Sequence, residues 1–595
     1  MSDANGADPD RSILILYATE TGNAQDVADR IARQCRRIHV KARVLSMDAY
    51  PATDLISEPL VIFVVSTTGS GIEPRSMTPL WNMLLRSDLP EDLFDELYFA
   101  TFGLGDTAYE KFCWPAKKLT RRMEKLGATR IHSTGEGDDQ HPLGLDGALE
   151  PWITGLANSL LELLPLPEGL ESLPSDYIFP SRVSLKKTSE PDSFEEPLNS
   201  DPAYHDATVK TNIRITAKDW YQDVRHLEFD FEDDIQYSPG DIAIIHPQTH
   251  PDDVEMFLSS MSWGNIADEP YLIERNYDDQ SLPDHLPKVS TLRTIFTRYL
   301  DFNAVPRRTF FRYLRDFTAE EIEKERLDEF LSDSPEGADD LYEYCYRPKR
   351  TICEVLSDFR NVKIPKDYIF DVFPFLRPRQ FSIASSVKRH PRQIHLCVAM
   401  VHYKTKWIKA PRRGICSTYL SRLKPGDSLK IGLQKGFIRL PENKETPIIC
   451  VGPGTGVAPM RAIIEERVHN ESHENTLYFG CRSRHKDQHY KDEWEDYAAK
   501  NALHYRLACS RDGPEGVARI YVQDLMKEDA ERIWKLLDKE GAWVIISGSS
   551  NKMPASVKEA IRYSVQQCGG RTEEEAKEYV QMLERTGRLI EECWS

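Results

Sequence analysis

Four short apolar runs in the first 170 residues each break off into glycine, hydroxyl and acidic positions: Ser12–Tyr17, Leu60–Val65, Leu97–Phe102 and Arg130–Thr134. Continuous apolar runs, rather than alternating ones, mark strands buried on both faces of a parallel sheet. Helical periodicity follows the first run from Gln25 to about Arg36, and Trp152–Leu164 reads as the last helix of this segment. Residues 165–202 carry seven prolines among serines and acids, the composition of an extended, semi-flexible linker. From about Thr208 the pattern alternates with period two, through VKTNIRI, DVRHLEFDF and Tyr237–His246. Residues 252–362 switch to helical spacing, with starts near Asp252, Ser290, Thr318 and Thr351, and β patterning resumes over 377–440. Another buried run, Thr446–Val451, meets a glycine turn and a helix at Met460–His469, and Trp543–Ser547 reads as the last buried strand. These patterns predict a multidomain α/β protein with a separate β-patterned region. Its segments are 11–165, a linker at 166–205, a β-patterned segment at 206–440 with a helical insert over about 252–362, and 441–595.

Bulk composition narrows the function class. No apolar run reaches 18 residues, so no membrane anchor is expected. The opening MSDANGADPD is acidic and unlike a targeting peptide. The eleven cysteines are odd in number and include no C-x-x-C pair, which argues against a disulfide framework, a zinc ribbon or a protein-bound cluster, and for a reduced cytoplasmic setting. Net charge is −19, and residues 1–170 hold 16 basic against 25 acidic side chains, which argues against nucleic-acid binding. The run Glu91–Glu96 is placed to steer a basic partner, although solubility alone accounts for most single charges.

The loops after the four apolar runs carry the first candidate chemistry. Thr19, Glu20, Thr21, Gly22, Asn23 and Ala24 form a hydroxyl-and-glycine turn between strand and helix, an anion cradle without the Lys of a Walker loop. A plain strand-to-helix turn would not need three side-chain donors. Ser66, Thr67, Thr68 and Gly69 form the second loop. The third runs from Leu104, Gly105 and Asp106 through Thr107, Ala108 and Tyr109 to Glu110, Lys111, Phe112 and Cys113, and Asp139 belongs to the fourth. Open parallel sheets bind ligands at this edge, and Tyr109 is suited to stack on a flat ring.

The second half carries three more motifs. In Arg379-Gln380-Phe381-Ser382 a guanidinium enters a short strand, suited to a diphosphate, with Arg379 and Ser382 expected to face the ligand; an exposed arginine on a sheet edge is the bland alternative. Gly414, Ile415, Cys416 and Ser417 open an apolar helix whose N-terminus favours a phosphate. Gly452–Pro459 has the dinucleotide geometry of strand, glycine turn and helix, with Thr455 in the turn. Downstream, Ser510, Arg511 and Arg519, followed by Ile520, Tyr521, Val522 and Gln523, gather a hydroxyl and two cations. Such a group suits a 2′-phosphate, where an NAD site would want a carboxylate.

The order R-x-[FY]-S, G-x-[CV]-S, G-P-G-T-G, following four loops of flavodoxin type, resembles the NADPH-dependent diflavin oxidoreductases over nearly all of the chain beyond residue 11. The resemblance implies a flavodoxin-like domain with FMN, an FAD-binding antiparallel barrel with a helical connecting insert, and a ferredoxin-reductase-type domain with NADPH. It implies electron flow from NADPH through FAD to FMN, with Arg350 on FAD, although a helix-capping cation is an equal reading of that residue. It also places Ser382 near the flavin, Glu592 near the nicotinamide and Trp594 over the FAD ring. The family's microsomal members have Cys and Asp where this chain has Ser547 and Glu592 and an aromatic in the second loop where it has Thr68, and the family usually has Lys where it has Arg519. The RPRQFSIASS, GICSTYL and terminal ECWS strings look most like the cytosolic diflavin reductases of Fe–S protein assembly, whose acceptor is an anamorsin-type Fe–S protein. A soluble reductase for haem mono-oxygenases and a non-catalytic flavin-binding module remain the alternatives.

Overall fold

The computed structural model describes residues 11–69, 71–189, 196–472, 474–513 and 519–594. The acidic N-terminal decapeptide, Ser70 of the second loop and Ser595 lie outside the described residues. The chain divides into two compact units. The first holds the chain up to Pro197 with His250–Arg377 and Thr405–Ile408; the second holds Leu198–Thr249, Pro378–Lys404 and everything from Lys409.

In the first unit a parallel sheet runs in the order Lys41–Ser46, Ser12–Ala18, Leu60–Ser66, Tyr98–Gly105, Thr129–Arg130, with Gly135–Asp138 also beside Tyr98–Gly105. Successive residues of a strand face opposite sides. Ile13, Ile15, Ile62 and Val64 therefore pack under the helices Asn23–Arg37 and Asp146–Leu163. Leu14, Leu16, Val61 and Phe63 pack under Thr78–Leu84 and Trp114–Lys125. This is the flavodoxin-like arrangement, with the candidate loops at the carboxyl edge.

Three expectations need correction here. The edge strand Lys41–Ser46 went unread because Lys41 and Arg43 break its apolar pattern. The fourth apolar run is not one strand over 130–134. Pairing stops at Arg130 and resumes at Gly135, where the glycines make room for Phe102; a Cβ on Gly135 would stand 2.3 Å from its ring. The last helix begins at Asp146, six residues early; Gly147 and Pro151 mask its first turns in the sequence, and Asp146 pairs with Arg30 at 2.6 Å.

The Arg30–Asp146 pair is buried on both sides. Burial opposes the Asp146 charge, but Arg30 and then Arg307 outweigh it and hold the carboxyl below its usual value. Removing one partner of a buried pair leaves an uncompensated charge, so Asp146→Ala is expected to cost about 3–5 kcal/mol, read as a fall in the melting temperature. The folded value lies below the unfolded value of about 3.9. The wild-type pair therefore stabilises above about pH 4, and that contribution is lost as pH falls through the folded value.

The rest of the first unit is an insert with an aromatic core, in which Phe257 stacks on Phe302 at 4.4 Å and meets Phe296 and Phe373. Its helices include Pro251–Ser260, Leu292–Arg298, Arg308–Phe317, Glu321–Leu331 and Ile352–Asp358. The segment is not purely helical: Tyr271–Arg275 and Val289–Ser290 form a small antiparallel sheet with Val183–Lys187, a strand lying inside the stretch read as linker.

In the second unit six antiparallel strands follow the order Arg379–Ser382, Ile242–Ile245, Ser428–Gln434, Tyr204–Arg214, Val224–Phe231, Gln393–Ala399. The Ala384 N–H donates to the His395 carbonyl at 2.8 Å, so the sheet curls into a nearly closed barrel. Beside it lies a five-stranded parallel sheet: His504–Cys509, Asn475–Cys481, Ile448–Val451, Trp543–Ser549, Leu589–Trp594. Trp543–Ser549 is thus not the last strand. Glu591 and Glu592 hide a further strand at the chain end.

Candidate functional site

The first-unit site lies at the carboxyl edge of the flavodoxin-like sheet. Gly22 caps the helix Asn23–Arg37 at φ +89°, in the left-handed region that glycine tolerates, and no side chain caps the helix. An uncapped helix N-terminus offers backbone N–H groups and partial positive charge, which fits the FMN phosphate. The Thr19 hydroxyl accepts from the Gly22 N–H at 2.9 Å and so shapes the turn. Thr21 and Asn23 are exposed and Ala24 is buried. Glu20 is engaged with Arg75, at 2.7 Å from its N–H and 2.9 Å from its guanidinium, so it braces the turn from outside.

The second loop is fixed by Ser66 donating to the Ala18 carbonyl, Thr67 donating to the Leu104 carbonyl, and a Thr68–Ile72 bridge, with Gly69 at φ +47°. In the third loop, Gly105 lies so close to the chain that a Cβ would stand 2.9 Å from the Cys113 nitrogen. Asp106 accepts from the Ala108 N–H at 2.7 Å and leaves Tyr109 half-buried at the rim. Thr107 binds Asp138 through both its N–H and its hydroxyl, at 3.0 and 2.8 Å. Glu110 is exposed, Phe112 is half-buried, and the Lys111 stem covers Gly71. Burial pushes the Cys113 thiol up to about 12, the state of a packing side chain. Asp139, the acid singled out in the fourth loop, is exposed, and its N–H donates to the Gly105 carbonyl at 3.0 Å. The acid that joins two loops is its neighbour Asp138. Burial raises the Asp138 carboxyl, but the N–H groups of Thr107 and Gln140 outweigh this and hold it low.

Arg350, also in the first unit, donates to the Tyr344 carbonyl at 2.8 Å and pairs with Asp358 at 3.1 Å. It precedes a helix capped by Thr351 and Glu354.

In the second unit the strand Arg379–Ser382 pairs with Ile242–Ile245. Strand alternation separates two residues expected to share a face: Arg379 goes with Phe381, and Gln380 with Ser382. Arg379 and Gln380 are exposed, and Phe381 packs against the barrel core. The Ser382 hydroxyl donates to Glu592 at 3.2 Å, so two residues 210 apart in sequence meet. Gly414 precedes the helix Ile415–Arg422, again without a side-chain cap, which fits a pyrophosphate. Ile415 is half-buried, and burial pushes Cys416 up to about 12. The Ser417 hydroxyl accepts from the Val401 N–H at 3.1 Å and donates to Gly414, so it holds the entry loop in place.

The parallel sheet encloses a cavity of roughly 700 Å³ lined by Thr455, Arg482, Ser510, Tyr521, Gln523 and Trp594 among others. The glycine turn lets the chain pass close: a Cβ on Gly456 would stand 2.1 Å from the Ser547 carbonyl oxygen. The buried Ser547 hydroxyl has no hydrogen-bond partner among the described residues, and it sits in register with Glu592 on the next strand. Ile520 and Val522 also line the cavity, whereas Arg511 and Arg519 are exposed outside that lining. Arg482 and Lys552 are cations of that lining. Arg482 went unread in the sequence because it lies past the end of a strand, with no motif around it. Burial and then Arg511 push the Arg482 guanidinium down against the opposing pull of Asp487, and a cation at this wall suits an anion such as the 2′-phosphate.

Comparison with known proteins agrees domain by domain. Residues 15–152 match the flavodoxin family, 200–419 the FAD binding domain, and 450–559 the oxidoreductase NAD-binding domain. Relatives called NADPH-dependent diflavin oxidoreductase 1 cover the chain end to end. The one from Cryptococcus neoformans var. neoformans serotype D is 44% identical over 98% of this chain and 100% of its own. That of Xenopus laevis is 38% identical over 99% and 100%, and that of Schizosaccharomyces pombe 36% over 98% and 99%. FMN belongs to the first of the three domains, FAD to the second and NADPH to the third. The chain belongs to the NADPH-dependent diflavin oxidoreductases, enzymes that carry electrons from NADPH through FAD to FMN.

Proposed function

We propose that the chain delivers these electrons one at a time to an anamorsin-type Fe–S protein in cytoplasmic iron–sulfur cluster assembly. The observation that carries the reading is likeness along the whole chain to diflavin oxidoreductases of that one name, together with the RPRQFSIASS, GICSTYL and ECWS strings. Bound flavins convert a hydride into single electrons, and the protein supplies position and electrostatics. The exposed acids Glu91, Asp92, Asp95 and Glu96 on the FMN domain favour a partner with a basic face. In this reading Ser382 hydrogen-bonds near the reacting edge of FAD, Glu592 steadies positive charge on the nicotinamide, and Trp594 covers the FAD ring until nicotinamide displaces it. Among the described residues no helix is long and apolar enough to cross a membrane.

Capture of partners from cytosol on the immobilised, NADPH-reduced protein tests the acceptor. Recovery of a protein with Fe–S absorbance is expected. Recovery of a haem mono-oxygenase in its place would overturn the assignment.

A further inference from the structure

The turn that cradles the FMN phosphate carries no cation of its own. Residues 18–24 read Ala-Thr-Glu-Thr-Gly-Asn-Ala, and Arg75, the guanidinium beside it from the same domain, is taken by Glu20. The positive charge comes from elsewhere in the first unit. Arg377 follows the insert in sequence, and its guanidinium lies against the turn. A Cβ on Gly22 would stand 2.3 Å from Arg377 Cζ, 2.5 Å from Nε and 2.8 Å from Nη1. The Phe375 ring holds the guanidinium from behind at 5.0 Å. Arg307 approaches the same helix end, ion-paired with Asp26 and 3.4 Å from the Asn23 side chain. Asp284, then Asp26 and Asp29, are the acids around Arg377, and Asp284 acts on it most strongly. Arg307 balances Asp26, and Arg182 pairs with Asp29, which also accepts from the Ser281 hydroxyl.

We propose that Arg377 is a phosphate-binding residue of the FMN site, brought to the cradle from outside the flavodoxin-like domain. Gly22 serves twice: it takes the left-handed turn, and its missing side chain leaves room for the guanidinium. By linkage, occupancy of the phosphate site and the seating of Arg377 on the turn reinforce each other. This rests on the FMN assignment of the first domain and adds a residue that the domain itself does not contain.

The test uses full-length protein stripped of FMN and titrated with FMN or with riboflavin, which lacks the phosphate, by quenching of flavin fluorescence. Arg377→Ala should weaken FMN by about tenfold, the low end for a charge-assisted bond. Riboflavin affinity and bound FAD should stay unchanged, and Arg377→Lys should recover part of the loss. Equal weakening of FMN and riboflavin would make Arg377 a mere support of the turn and overturn the proposal, as would no weakening of either. Should the alanine variant not fold, the ³¹P resonance of bound FMN decides. A shift between wild type and Arg377→Lys is expected, and an identical resonance overturns the proposal. Failure of wild-type apoprotein to take up FMN would instead refute the FMN site itself.

Discussion

Replacing Arg511 with alanine is expected to weaken NADPH by roughly ten- to hundredfold while leaving NADH nearly untouched, since a charge-assisted hydrogen bond is worth about 1.5–3 kcal/mol. Arg511 sits just past the strand His504–Cys509, its N–H bound to the Arg482 carbonyl at 2.8 Å. The backbone thus ties the Arg511 loop to Arg482 at the cavity wall, and the two positive charges act on each other. NADPH brings an anion, the 2′-phosphate; NADH does not. Steady-state kinetics with both donors and calorimetric titration with NADP⁺ measure the effect. An equal loss for both nucleotides would remove the 2′-phosphate assignment from Arg511.

Replacing Trp594 with alanine should raise the ratio of NADH to NADPH activity by on the order of a hundredfold, combining the burial of a large ring with an aromatic stacking contribution. The indole stands at the cavity that also holds Thr455, and 40% of the residue is exposed. Its backbone belongs to the strand Leu589–Trp594, and its carbonyl accepts from the Ser550 N–H at 2.8 Å. On the role proposed for Trp594, nicotinamide displaces the side chain alone, with the strand in place. Nicotinamide is smaller than indole and competes poorly for a flavin face. NADH suffers most, since it lacks the 2′-phosphate anchor and relies on the ring site. With the indole gone, NADP⁺ should bind more tightly and NADPH turnover should fall through slower product release. An unchanged donor ratio and unchanged NADP⁺ inhibition, with full FAD, would reduce Trp594 to a packing residue.

The sequence made the central strands legible because they are buried on both faces and read as apolar runs, as Leu60–Ser66 does. Edges were harder. Lys41–Ser46 alternates with charges, and Leu589–Trp594 carries two glutamates in mid-strand. Gly135–Asp138 was obscured because its buried positions are glycines that yield to Phe102. The site divides the same way. Thr19, Gly22, Gly414 and Thr455 could be read because a phosphate turn is built locally from neighbours in sequence. Arg377 could not, because it lies against a turn formed more than 350 residues earlier, and Arg482 could not, because it follows a strand with no motif around it. The meeting of Ser382 with Glu592 depends on how the barrel packs against the parallel sheet, through a shared core that includes Val224, Ala384 and Met460.

The relay itself is tested most directly by anaerobic rapid mixing of the protein with NADPH and then with the purified Fe–S acceptor, before and after removal of FMN. With both flavins bound, NADPH should bleach them and the acceptor's Fe–S absorbance should then fall. Without FMN, NADPH should still bleach FAD, and the acceptor should stay oxidised. Acceptor reduction at an undiminished rate in the FMN-free protein would contradict the order NADPH, FAD, FMN, acceptor.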